Sequence, residues 1–164
     1  MSVTISGSGQ VPVQVVSTTK TDTFTTTGTT QTAITGLTVT ITPTSSSSKI
    51  LIMVTIGGFA QGSGQGRFIL TRAGSTISGA IGTTAGSRLS DTFSVYNGGS
   101  GATQTNAGIT YLDSPATTSS ITYGITVSSN DAGEVIYINR SSTDSDNTSY
   151  QRNISTITVM EISG

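Results

Sequence analysis

Lys49–Phe59, KILIMVTIGGF, is the stretch whose reading decides the fold. It is the longest apolar run in a chain otherwise rich in Thr, Ser and Gly. A membrane-spanning helix needs about 18 or more such residues, so this run is too short to cross a bilayer. Most of its residues are β-branched. A Pro-Thr-Ser-Ser-Ser-Ser segment (Pro43–Ser48) precedes it, and Gly57-Gly58 interrupts it. That pattern predicts a buried strand with a bulge or bend at the glycine pair. Ile50, Ile52, Val54 and Ile56 then point one way, and Leu51 and Met53 the other. A strand of a two-layer sandwich normally has one wet face. Here the second face is apolar too, and it calls for a cover.

Composition narrows the function. The 164 residues suit one domain with a real core. The chain has no Cys, His or Trp, which excludes disulfides, haem ligation and Cys/His zinc sites. Charged residues make up 9% and the net charge is −1, so there is no basic stripe to neutralise phosphates, and nucleic acid is not expected as a partner. Met1–Gln10 (MSVTISGSGQ) is polar and lacks the apolar centre of a signal peptide. The expectation is a protein that either stays where it is made or leaves by a route other than a cleaved signal, such as cell lysis, without membrane insertion.

No segment repeats apolar residues with helical period, and β-branched residues alternate instead, so the chain reads as all-β. Met1–Gln10 is expected to be a flexible arm, and residues 11–164 one sandwich. The predicted strands are Val11–Ser17, Asp22–Thr27, Leu37–Ile41, Lys49–Ile56, Arg67–Arg72, Thr92–Tyr96, Ile109–Asp113, Ser120–Ser128, Glu134–Arg140 and Ile154–Ile162. Pro43–Ser48 is read as the turn of a hairpin joining Leu37–Ile41 to Lys49–Ile56. Gln61–Gly66 is read as a second hairpin, pairing the central strand with Arg67–Arg72. About nine or ten short strands broken by Gly, Asn, Pro and Ser argue for a sandwich or barrel, best a jelly roll.

Catalytic chemistry finds little support. A Ser-His-Asp or Cys-His arrangement cannot be built without His or Cys. Lys20 and Lys49 sit in Ser/Thr-rich turns and read as solvated lysines rather than partners of a nucleophilic serine. Of the eight acidic residues, Asp22, Asp131, Asp144 and Asp146 lie in turn-like contexts. Glu161 lies within an apolar strand, where pairing with Arg72, Arg140 or Arg152 is the expected solution for a buried acid. Asp144–Asn147 resembles a calcium loop faintly but lacks its glycine and its terminal acid. The triplets starting at Asn139, Asn147 and Asn153 match the N-glycosylation pattern by composition alone. Of the five tyrosines, Tyr123 and Tyr137 read as packed, and Tyr96 and Tyr150 as exposed, which keeps glycan recognition open. No cofactor, metal or catalytic residue is expected.

Three stretches in order, VQVVSTTKTDTFTTT, GLTVTITPTSSSSKILIMV and STITVMEIS, resemble small virion proteins of tailed bacteriophages, especially marine and cyanobacterial ones. The order spans nearly the whole chain. Proteins that look like this occur as head fibres, capsid decorations and tail-fibre tips. Their sandwich is similar to the trimeric jelly rolls of the C1q and tumour-necrosis-factor type. The resemblance implies a virion surface protein that binds the major capsid protein or a fibre or tail component, with a host cell-surface glycan as a further partner. A short arm and one domain favour capsid decoration or a head fibre. A receptor-binding tip is the alternative, and a glycan-active enzyme the third reading.

Three strands are expected to be apolar on both faces: Lys49–Ile56, Glu134–Arg140 and Ile154–Ile162. In the second, Val135 and Tyr137 oppose Ile136 and Ile138. In the third, Ile157 and Val159 oppose Thr156, Thr158, Met160 and Ile162. One face of each fills the core. The other makes Val135, Tyr137, Thr156, Thr158, Met160 and Ile162 the candidate subunit interface, unless a segment such as Ala73–Ser90 covers it. The family resemblance implies a homotrimer. Val3 and Ile5 are the apolar residues of the arm and the candidates for anchoring it to the particle.

Overall fold

The computed structural model describes residues 12–61, 64–97 and 101–164. The arm, with Val3 and Ile5, lies outside the described residues. The remainder is all-β, in two antiparallel sheets around one core. In the first sheet β1 (Pro12–Lys20) pairs with β11 (Ser155–Ile162), and β11 with β4 (Lys49–Gln61). The opposite edge of β4 pairs with β8 (Thr105–Asp113). The last residues of β4 pair with β10 (Val135–Ile138), which in turn carries β2 (Phe24–Thr27). The second sheet runs β3 (Thr32–Ile41), β9 (Ile121–Ser129), β5 (Gln65–Arg72). On the free edge of β5 lie the short β6 (Ser75–Thr76) and β7 (Phe93–Tyr96). One 3-10 turn, Ser78–Ala80, follows β6.

β4 behaves as its alternation predicts. Ile50, Ile52, Val54 and Ile56 are all at or below 3% exposure, while Leu51 and Met53 on the other face are only half-buried. The β4–β8 register shifts between Ile56 and Phe59, at the glycine pair. Gly58 takes a left-handed φ of 68°, which a side chain would resist. The shift turns Phe59 into the core, where its ring meets Phe68 edge-on at 5.7 Å, and Phe68 stacks on Phe93 at 4.7 Å. Three aromatic rings thus tie the end of β4 to the second sheet.

Both expected hairpins are corrected. β3 and β4 lie in different sheets, so Pro43–Ser48 crosses between layers instead of turning a ladder back on itself. β5 likewise pairs with β9, β6 and β7 and not with β4. The reason is the double burial of β4: its two edges are already taken by β11 and β8. Alternation specifies which face a strand buries, not which neighbour it chooses. Residues 73–90 do not cap the first sheet, because Ile77 and Ala80 turn into the core itself.

A polar clamp also joins the layers. Asp113, on β8, is 4% exposed and accepts from Tyr123 Oη on β9 (2.6 Å) and from Arg72 Nη1 on β5 (2.9 Å). Burial, then the Asp113 carboxylate, pushes the Tyr123 phenol far above its ordinary range, so it stays a donor. Removing Asp113 leaves the buried Tyr123 hydroxyl without its acceptor and the half-buried Arg72 without its counter-charge, whereas removing the Tyr123 hydroxyl leaves the Arg72–Asp113 pair in place. Asp113→Ala is expected to cost about 3 kcal/mol and Tyr123→Phe about 1 kcal/mol, read by urea unfolding. The double variant should cost less than the sum, because both changes break one network.

Candidate interaction surfaces

Paired residues of an antiparallel ladder project on the same side of the sheet. On the outer face of the first sheet this brings four apolar side chains abreast. Val15 pairs with Met160, Met160 with Leu51, and Leu51 with Leu112. Val15 is 55% and Leu112 50% exposed. Val13 and Ile162 flank this rung, and Met53 sits one rung inward. The following rungs become polar: Ser17, Thr158, Met53 and Thr110, then Thr19, Thr156, Thr55 and Gly108. The face is therefore apolar at the end where β1 begins and hydroxyl-rich beyond it.

The six residues expected at an interface do not come together. Met160 belongs to the apolar rung and Ile162 lies beside it, while Thr156 and Thr158 occupy the polar rungs. Val135 and Tyr137 are on β10, and Tyr137 pairs with Ala60, nine residues along β4 from Leu51. That separation is on the order of 30 Å of strand. There the Tyr137 ring carries the Arg140 guanidinium at 4.7 Å. Val13, Val15 and Leu112 complete the apolar end and were not singled out by sequence. Their strands alternate visibly, but the register that sets them beside Met160 and Leu51 is tertiary.

Glu161 fixes this end of the face from beneath. It is fully buried, and no arginine reaches it, contrary to the expected ion pair. Neutral donors hold it instead: Gln14 Nε2 on one oxygen (2.7 Å), and Thr44 N and Oγ1 on the other (2.7 Å each). The acid ties the start of β1 and the β3–β4 crossing to β11. Burial would raise its pKa, but the hydrogen bonds from Gln14 and Thr44, with the Ser48 hydroxyl close by, outweigh that and bring it down to about 2 from 4.5.

Other charged groups are committed to structure. Lys20 is not a solvated turn lysine: its side chain is 1% exposed at the end of β1 and donates to Asp22 (2.8 Å). That bond lowers the Asp22 pKa. Lys49 donates to Ser114. Asp144, first residue of the calcium-like stretch, accepts from Arg152 (2.6 and 2.7 Å) and lies 3.3 Å from Arg140. Among the described residues no group of three or more acids is placed to hold a metal. Asn139 is buried, with its side chain bonded to the Lys20 and Asp22 carbonyls and to Ser155, so its triplet is closed to glycosylation. Tyr123 is buried and Tyr96 is 66% exposed, as expected, but Tyr137 lies half-buried on the outer face.

No protein-family description matches the sequence, and no curated protein matches it.

Glu161→Gln would turn an amide donor toward donors already in place. A loss of about 1 to 3 kcal/mol at pH 7 is expected. The folded pKa lies below the ordinary value, so the carboxylate's contribution is full above about pH 4.5 and fades as pH falls toward 2. The gap between wild type and variant in urea unfolding should therefore narrow as pH falls from about 4.5 toward 2.

Proposed function

We propose that this protein is a structural component of a tailed-bacteriophage virion surface, folded as a jelly roll and assembled as a homotrimer. The strand order carries the reading. β1–β11–β4–β8 faces β3–β9–β5–β7. Two four-stranded antiparallel layers in that order are the arrangement expected of a jelly roll of the C1q and tumour-necrosis-factor type. β2, β6 and β10 are additions to it. The apolar rung of the first sheet supplies the self-association surface, since a soluble monomer seldom leaves such a patch in water. β1 begins at the same end, and Val3 and Ile5, which precede it in sequence, serve as the anchor to the capsid or fibre.

Capsid decoration or a head fibre is the first reading. A receptor-binding tip is the second, and it is favoured by the polar, grooved outer face of the second sheet. Sedimentation equilibrium at micromolar concentration tests the assembly: the expected mass is about three times the 16.6 kDa chain. A clean monomer mass would sink the trimer. Leu51→Asp and Met160→Asp should each give folded monomers by circular dichroism, with a smaller effect from Tyr137→Asp. Gold-labelled antibody on intact particles tests location. Label over the head supports decoration, label at the tail end supports the tip, and unlabelled particles overturn both.

A further inference from the structure

We propose that the outer face of the second sheet carries a binding site for a carboxylated sugar, centred on Arg67 and Arg88. A groove of about 350 Å³ lies where the 81–90 segment passes over β5 and β7. Arg67 and Asp91 line it together with Gln65, Ser94, Asn130, Arg88 and Leu89. The size is at the lower end of small-ligand sites and suits a monosaccharide unit.

The donor chemistry selects the ligand. Four of the five arginines are paired with aspartate: Arg67 with Asp91, Arg72 with Asp113, and Arg140 and Arg152 with Asp144. Arg88 alone has no carboxylate partner among the described residues, where its side chain makes one long bond, 3.4 Å, to the Ala85 carbonyl. Arg67 is 9% exposed and rigidly held, because Asp91 takes its Nε (3.1 Å) and Nη2 (2.8 Å). Its Nη1 has no partner among the described residues and remains for the groove. Two guanidiniums against one carboxylate leave the groove one positive charge in excess.

The rim adds uncommitted neutral groups. The Asn130 side chain spends its oxygen on the Gln65 backbone N–H (2.7 Å), so its amide nitrogen is a free donor. The Gln65 side-chain amide and the Ser94 hydroxyl have no partner among the described residues. A guanidinium takes a carboxylate in two parallel bonds, and amides and hydroxyls suit ring hydroxyls. Leu89, 62% exposed, offers an apolar edge to a sugar face. The cellular meaning of this site rests on the surface-display reading, whereas binding by the isolated protein does not. Failure of particle labelling and failure of sugar binding are therefore separate results.

Isothermal titration on the full chain tests the proposal with N-acetylneuraminic acid and glucuronic acid, each beside its methyl ester, and with sodium acetate. At least one acid should bind about tenfold or more tightly than its ester, the margin of a charge-assisted contact. Acetate should not compete. Arg88 is exposed, so Arg88→Gln should keep the thermal midpoint and lose about tenfold in affinity, while Lys49→Gln should lose nothing. Equal affinity for acid and ester, full competition by acetate, an unaffected Arg88→Gln, or no heat up to about 10 mM of either acid would each overturn it.

Discussion

Burial of the inner face of β4 is the constraint on which the rest of the structure depends. This one strand is hydrogen-bonded along both edges and packed at the centre of a core drawn from both layers. Burying each large aliphatic side chain contributes about 1.5 to 3 kcal/mol. The chain has only 33% hydrophobic residues, so few segments could fill that role. Once Ile50 to Ile56 face inward, β11 and β8 must flank them, and β3 and β5 are sent to the opposite layer. The glycine pair then lets β4 continue past β8's register and take β10 as a further neighbour.

The period-two signal was legible wherever a strand has one dry face. Leu37, Val39 and Ile41 in β3, and Ile121 to Val127 in β9, bury the residues that alternation selects. Strand ends were less visible. β1, β3, β4 and β8 all run further than the apolar pattern, because Thr and Gly continue a ladder once neighbours supply the hydrogen bonds. Partner choice was not legible at all. Nothing local in Pro43–Ser48 distinguishes a crossing between layers from a hairpin turn. The same limit explains Glu161: the sequence shows an acid among apolar residues, but Gln14 and Thr44, distant in sequence, decide how it is satisfied. The apolar rung was half visible for that reason, through Leu51 and Met160 but not through Val15 and Leu112.

The two outer faces divide the surface by chemistry. The first sheet presents aliphatic side chains at one end and hydroxyls beyond. The second presents threonines along β3 and β9, then arginine, amide and serine groups toward β7. With 9% charged residues, the chain places most of its charge in fixed pairs: Arg72–Asp113 between the layers, Arg67–Asp91 against the second sheet, Lys20–Asp22, and Asp144 with Arg140 and Arg152. Such pairs hold geometry more than they add stability. What is left over for contacts is correspondingly sparse, and an unpaired group such as Arg88 stands out against it.

The pairing of Pro12 with Ile162 gives the domain a mechanical direction. β1 starts where β11 ends, on neighbouring strands at one end of the sheet. Antiparallel hydrogen bonds lie across the strands. Tension applied between these two ends would open the β1–β11 ladder like a zipper, one bonded pair at a time. Tension between Pro12 and the far loops at Asn130–Gly133 runs along the strands and loads the ladder bonds together, in shear. A domain held through β1 and pulled from its opposite end is thus stiffer than the same domain pulled apart between Pro12 and Ile162.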